Sequence, residues 1–208
     1  MHDFFTSHGA GETDAQINAD NCGGQNKNNF VIWYYSRRVL CGLHKSILYS
    51  FLIAGHTKFS PDWCFGLLKQ SFKRRYVSSL FDLMVAVDKS TVTGVNISKL
   101  CGLHDGTVLV PVYDWVTFLE PFFTKIPGIS TFHHFRFASD RPGVVFCRTL
   151  IENEIEFQVL KSLEIRPPSQ LPQKIVPLGQ SHERKRYLHR EIREFCRPGT
   201  EDFVAPEP

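Results

Sequence analysis

Apolar residues in this chain recur at helical spacing in some stretches and gather into short bulky runs in others, the mixture expected of an α/β domain. From Gln25 to Leu40, Phe30, Val31, Tyr34 and Val39 recur at near-helical spacing and Gly42 supplies a stop, which predicts a helix. The run Ile47-Leu48-Tyr49-Ser50-Phe51-Leu52-Ile53 is short and bulky and predicts a buried strand, followed by a turn at Ala54-Gly55-His56-Thr57. Alternation is weak in Ala15 to Ala19, but the turn that follows makes a short strand ending at Asp20 the natural reading. Ser60-Pro61-Asp62 opens a further helix, with Ser60 as cap and proline in the first turn. It continues through Trp63, Leu67 and Leu68 to Lys73-Arg74-Arg75.

Beyond these, Gly9 and Gly11 suggest a turn near the start. A helix is expected over Ser79 to Val87, a linker over Ser90 to Ser98, and a strand over Thr107 to Val112. Tyr113 to Phe123 reads as a helix or tight turn. Thr131 to Phe137 and Val144 to Thr149 have the aromatic and β-branched content of strands, joined by the turn chemistry of Ser139-Asp140-Arg141-Pro142-Gly143. Pro167, Pro168, Pro172 and Pro177 mark a segment without regular structure. Ser181 to Cys196 reads as a terminal helix capped by Ser181, with Leu188, Ile192 and Phe195 on an apolar stripe that can dock on the core. The expected organisation is an α/β domain over 1–166, a proline-rich linker over 167–180, and a docking helix and tail over 181–208.

Composition narrows the class. An apolar fraction of 42% and 18 phenylalanines argue against general disorder. The net charge of +3 is too small to attract a polyanion by itself, so any nucleic-acid contact needs a local patch. Six cysteines are spread singly, without a C-x-x-C pair or a Cys/His cluster for zinc. The N-terminus shows neither the basic nor the apolar region of a signal peptide, so reduced thiols in the nucleus or cytoplasm are expected. No apolar run approaches the roughly 20 residues that span a bilayer, and no membrane partner is expected.

The candidate chemistry sits at two junctions. Asp20-Asn21-Cys22-Gly23-Gly24-Gln25-Asn26-Lys27-Asn28-Asn29 is unusually polar for a strand-to-helix turn, and it lacks the spacing of a phosphate-binding P-loop. Two readings are open: a turn and capping network, or a site in which Asp20 binds a hard cation such as magnesium through oxygen. Asp62 likewise either offsets amide dipoles in the first turn of its helix or supplies a second carboxylate. His56 can orient water, contact phosphate or move a proton, or it is a hydrogen-bonded loop histidine. For Cys22 a packing or local polar role is preferred to nucleophilic catalysis. His133 and His134, adjacent on a strand, point to opposite faces and are not expected to share a metal.

The two polar segments carry a resemblance. Asp20-Asn21-Cys22-Gly23-Gly24-Gln25-Asn26-Lys27-Asn28 and Gly55-His56-Thr57-Lys58-Phe59-Ser60-Pro61-Asp62-Trp63-Cys64-Phe65-Gly66 resemble the D-N-C-x-G-Q-N-K-N and G-H-[TS]-x-F-x-P-D-x-x-F-G patterns of a domain found in animal transposon-related proteins. The likeness extends through Asp105 to Pro111, Phe132 to Phe137 and Tyr187 to Cys196. That domain is in turn similar to the catalytic cores of cut-and-paste transposases and retroviral-type integrases. The resemblance implies a partial ribonuclease-H-like mixed sheet with flanking helices, in which acidic residues hold two magnesium ions. Asp20 would be the second acid and Asp62 the third, with the first strands and their acid upstream of Met1.

Two functions follow as expectations. One is a transposase-derived domain whose ancestral activity is magnesium-dependent DNA strand cleavage or joining, incomplete in this chain. Asp20 and Asp62 would bind metal and His56 would assist, while Gln25, Asn26, Lys27, Lys73, Arg74 and Arg75 would contact nucleic acid. The other is a noncatalytic module that binds nucleic acid, or a protein partner or second copy covering exposed sheet surface.

Overall fold

The computed structural model describes residues 1–52, 60–103, 105–150, 154–176 and 179–208. In chain order its elements are α1 (His2–Ser7), β1 (Asp14–Ala19), α2 (Asn29–Leu40), β2 (Ser46–Phe51), α3 (Ser60–Lys73), α4 (Leu80–Asp88), β3 (Val112–Tyr113), α5 (Trp115–Leu119), β4 (His134–Ala138), β5 (Val144–Arg148), β6 (Ile155–Gln158), β7 (Lys174–Ile175), α6 (His182–Ile192) and α7 (Glu201–Val204). They gather into two compact units, Met1–His56 with Pro111–Ile175, and Thr57–Val110 with Val176–Pro208. This division departs from boundaries at 166 and 180.

The first unit is a mixed sheet flanked by helices. Its strands run in the order β1-β2-β4-β5-β6, with β1 and β2 parallel and every other neighbouring pair antiparallel. Because β1 and β2 are parallel, the chain must cross over between them, and α2 is that crossover. Asn28 caps α2 by accepting from the Val31 amide at 3.1 Å. Ile32, Tyr35 and Val39 fall at helical intervals on the buried side of α2. The sheet offers Ile47, Tyr49, Phe51, Phe135, Phe137, Val145 and Cys147 to the same core. Each such fully buried side chain contributes roughly 1.5–3 kcal/mol of transfer free energy. Trp33 in that core keeps its one donor satisfied, its Nε1 giving a bond to the Thr124 carbonyl at 2.9 Å.

α2 also buries charge. Arg37, 1% exposed, donates from Nε and Nη2 to the carbonyls of Pro168, Ser169 and Gln170 at 2.6–3.2 Å, and its guanidinium lies over the Trp115 and Phe118 rings. The start of the proline-rich stretch is therefore held against the helix, and two residues near its end, Lys174 and Ile175, pair with Tyr113 and Val112.

The predicted strand over Thr107 to Val112 does not form. The Leu109 and Val110 amides both turn back to the Cys101 carbonyl, Val108 makes only an isolated bridge to Gly102, and Pro111 removes a donor before the pairing resumes in β3. Ahead of Gly9 and Gly11 the chain forms a short helix, α1, that carries no predicted element, and Phe5 of α1 packs on the core. Gly9 then has the Phe5 carbonyl only 2.6 Å from where a Cβ would sit, so a larger residue would push α1 away.

The second unit is helical among its described residues. α3 and α4 pack together, and α4 opens with a full capping box in which Ser79 and Asp82 satisfy each other's backbone. Ser60 is helical in α3, and the residues before it lie outside the described ones. The expected linker over Ser90 to Ser98 has no regular element, yet it is tied down: Asn96 Nδ2 donates to the Cys64 carbonyl at 3.1 Å, and Ser98 bonds Asp88. α6 carries its predicted Ser181 cap, and Arg197 pairs with Asp82 at 3.1 Å. Among the described residues no helix is long and apolar enough to cross a membrane.

Candidate functional site at the carboxyl end of the parallel strands

The polar turn between β1 and α2 is built around two hubs. The Cys22 carbonyl accepts from the amides of Gln25, Asn26 and Lys27 at 2.8–3.3 Å, which closes the turn. The Asp20 carboxylate is the second hub: its Oδ1 accepts from Asn26 Nδ2 at 2.5 Å and from the Cys22 amide at 3.3 Å. Asn26 in turn receives the Tyr49 hydroxyl on its carbonyl at 3.1 Å. Asn28 caps α2 and donates to the Gln25 carbonyl, and Asn29 Oδ1 accepts from the Ile126 amide at 2.7 Å. Most of the motif's amides thus build the loop. The capping network is real, and its effect is to hold one exposed carboxylate at the end of β1.

Lys27 has an architectural place. It is 5% exposed, its Nζ donates to the Ser130 carbonyl at 3.0 Å, and it lies 5.0 Å from the centre of the Phe51 ring. Burial lowers its pKa from the ordinary lysine value. This ammonium clamps the turn to the segment before β4 and is not on a surface that a phosphate reaches, which departs from its expected nucleic-acid contact. Gln25 is exposed and Asn26 half-buried. Burial, with the Asp20 charge as a second cause, raises the Tyr49 hydroxyl well above its ordinary pKa, so it remains a neutral donor to the loop.

The remaining candidates belong to the other unit or lie outside the described residues. Asp62 is exposed in the first turn of α3, where a carboxylate complements the amide dipoles. Lys73, Arg74 and Arg75 are exposed at the end of α3, with Arg75 Nε donating to Ser71 Oγ at 3.3 Å. His56 is outside the described residues. Asp20 and Asp62 thus sit in different compact units.

Magnesium is bound by one or two carboxylates completed by water and substrate phosphate, so an exposed strand-end carboxylate suits it. Asp20 offers that chemistry. Among the described residues no group of three or more His, Cys, Asp and Glu side chains converges. A groove of about 570 Å³ lined by Met1, Phe4, Phe5, Ala15, Ile17 and other residues runs beside β1, and Asp20 is not part of its lining.

Two residues at this end of the sheet carry no local sequence signal. Ser50 and His134 are register partners across β2 and β4, with His134 Nδ1 and Ser50 Oγ 2.9 Å apart. Only the strand pairing brings them together. All six cysteines are free, and Cys22 is exposed beside Asp20.

No curated protein and no solved structure matches the chain. A family model matches residues 13–153, which take in β1, the polar turn, α2, β2 and the strands β4 and β5. With more than half of its length matched, the chain belongs to the family described as Domain of unknown function (DUF7869).

Proposed function

We propose that this is a transposase-derived domain of ribonuclease-H-like type, whose site handles the phosphodiester backbone of DNA with a magnesium ion at Asp20. One observation carries the reading: an exposed, pre-oriented carboxylate at the carboxyl end of a parallel β-α-β pair, the place where open α/β sheets receive ligands. A mixed parallel and antiparallel sheet flanked by helices supports the reading at the level of α/β architecture. The D-N-C-x-G-Q-N-K-N resemblance supplies the substrate class.

In this role Asp20 is the metal-binding group, and Asn26 and the Cys22 amide fix which of its oxygens faces outward. A bound magnesium would supply electrophilic stabilisation of phosphate oxygens. Asp62 is the proposed second carboxylate and His56 the proposed proton-handling group. Lys73, Arg74 and Arg75 are proposed to hold the DNA backbone. The test is binding and cleavage of labelled DNA with and without magnesium, for the full chain and for Asp20→Asn and Asp62→Asn. Magnesium-dependent binding or cutting that each substitution weakens supports the proposal; indifference to both removes it.

A second reading, a noncatalytic protein-interaction module, is favoured by the apolar surface of the second unit. Trp63, Phe65, Phe72, Tyr76, Phe81 and Ile97 are each about half exposed or more. Phe65 and Ile97 line one groove, and apolar surface gathered in this way marks interaction sites. Salt-insensitive partner capture without magnesium would select this alternative.

A further inference from the structure

The sheet's two faces differ in character. Ala19, Phe51, Phe135 and Cys147 face the core, and the positions one residue away on each strand turn to the other side. The register then lines up Asn18 with Ser50, Ser50 with His134, and His134 with Arg148, one polar residue from each of four adjacent strands. Directly opposed residues share a face, so these four side chains form a transverse row about 14 Å long at the usual strand spacing. The row starts two residues before Asp20 on β1.

Its chemistry is that of an anion site. Asn18 and Arg148 are exposed at the two ends, His134 is half-buried, and Ser50 is buried between them and bonded to His134. The charged neighbours His134 senses, Arg148 and His133, are both basic, and after burial they lower its pKa. One carboxylate, Glu154, is near Arg148, but Arg136 already engages it at 2.7 and 3.2 Å. Among the described residues Arg148 has no ion-pair partner. The adjacent row differs: its arginine, Arg136, is committed to Glu154 and lies 3.8 Å from the Phe146 ring centre.

We propose that Asn18, Ser50, His134 and Arg148 form a track that binds phosphates of a single nucleic-acid strand, leading to Asp20. The proposal rests on the reading of Asp20 as the phosphodiester-handling carboxylate and extends it by naming what holds the strand. Arg148 supplies charge to one phosphate and Asn18 and His134 supply hydrogen bonds, while the buried Ser50 holds the His134 ring through its Nδ1. A row of donors without base-shaped pockets implies weak sequence preference.

The test is fluorescence anisotropy of the full chain with a labelled single-stranded DNA 20-mer in EDTA, so that metal at Asp20 does not contribute. Arg148→Gln should weaken binding roughly tenfold at low salt and reduce the log–log salt slope by about 0.7, the value for one lost phosphate contact on a single strand. Arg148→Lys should keep the slope. His134→Gln should weaken binding with the slope unchanged. Arg148 is exposed, so its variants stay informative if the half-buried His134 variant misfolds. No binding by the wild-type chain, or equal affinity and slope for Arg148→Gln, overturns the track. Full displacement of the 20-mer by millimolar inorganic phosphate would identify a free-phosphate site and also overturn it. If Arg148→Gln behaves as expected while Asp20→Asn leaves magnesium-dependent binding and cleavage untouched, the track stands and the metal reading fails. The converse result sinks the track alone.

Discussion

Replacing Arg37 should cost more stability than replacing any exposed arginine, because its guanidinium joins α2 to the chain from Pro168 to Gln170. It makes four donor contacts with three carbonyls and lies against the Trp115 and Phe118 rings, while burial lowers its pKa by disfavouring the charged form. Hydrogen bonds from a charged group contribute about 1.5–3 kcal/mol each, and a cation over an aromatic ring about 0.5–2 kcal/mol. These gains do not add, and the desolvation of the guanidinium offsets a large part of them. Ser169 and Gln170 are exposed, so their carbonyls recover water when the arginine is gone. The net loss for Arg37→Ala is then about 3 kcal/mol, a large share of the roughly 5–15 kcal/mol a domain has. Arg37→Lys keeps the charge without the planar fork and should lose about 2 kcal/mol. Urea unfolding measures both, and limited proteolysis should show new cleavage near 168–170. Losses under about 0.5 kcal/mol for both variants, with no new cleavage, would refute the assignment of this arginine as the clamp.

Gly143 sits at φ 79° with the Leu160 Cβ only 2.6 Å from where its own Cβ would be, so Gly143→Ala should destabilise by about 2–4 kcal/mol in urea, whereas Gly199→Ala, also at positive φ but in open space, should cost only about 1 kcal/mol. His2, His44 and His134 all have pKa values lowered by burial and then by basic neighbours. Their unfolded forms take up protons first as pH falls below about 6.5, so the stability they contribute is complete above that pH and is lost on descending toward their folded pKa values. Urea midpoints at pH 7.5 and 5.5 should show this fall, and His44→Gln should reduce it. Ser79→Ala removes the α4 capping box and should cost about 1 kcal/mol, seen as faster amide exchange in α4 with β1 and β2 unaffected.

The parts of the fold written in local pattern were readable from sequence. α2 announces itself through spaced apolar residues, β2 through a bulky run, and α6 through Ser181. Strand β6 had a signal, the alternation Ile155-Glu156-Phe157-Gln158, that is too short to stand without its partner β5. What stayed hidden depends on distant pairing. Nothing near Arg37 in sequence indicates that its acceptors lie beyond Pro167, and the prolines there read as linker because their composition is identical whether the segment is free or clamped. The Asn18–Ser50–His134–Arg148 row exists only once four strands are in register. Asp20 was legible as a strand-end acid, but the sequence did not distinguish a capping role from a metal role, and the structure shows its Oδ1 in the first.

The most direct test of a cation at Asp20 is paramagnetic. Titrating manganese in place of magnesium into the isotopically labelled chain should broaden the backbone amide NMR signals of Asp20 through Asn26 first, at low stoichiometry. Asp20→Asn should abolish that selective broadening, and excess magnesium should reverse it. Broadening that spares this turn, or that persists unchanged in Asp20→Asn, would contradict a metal role for the carboxylate.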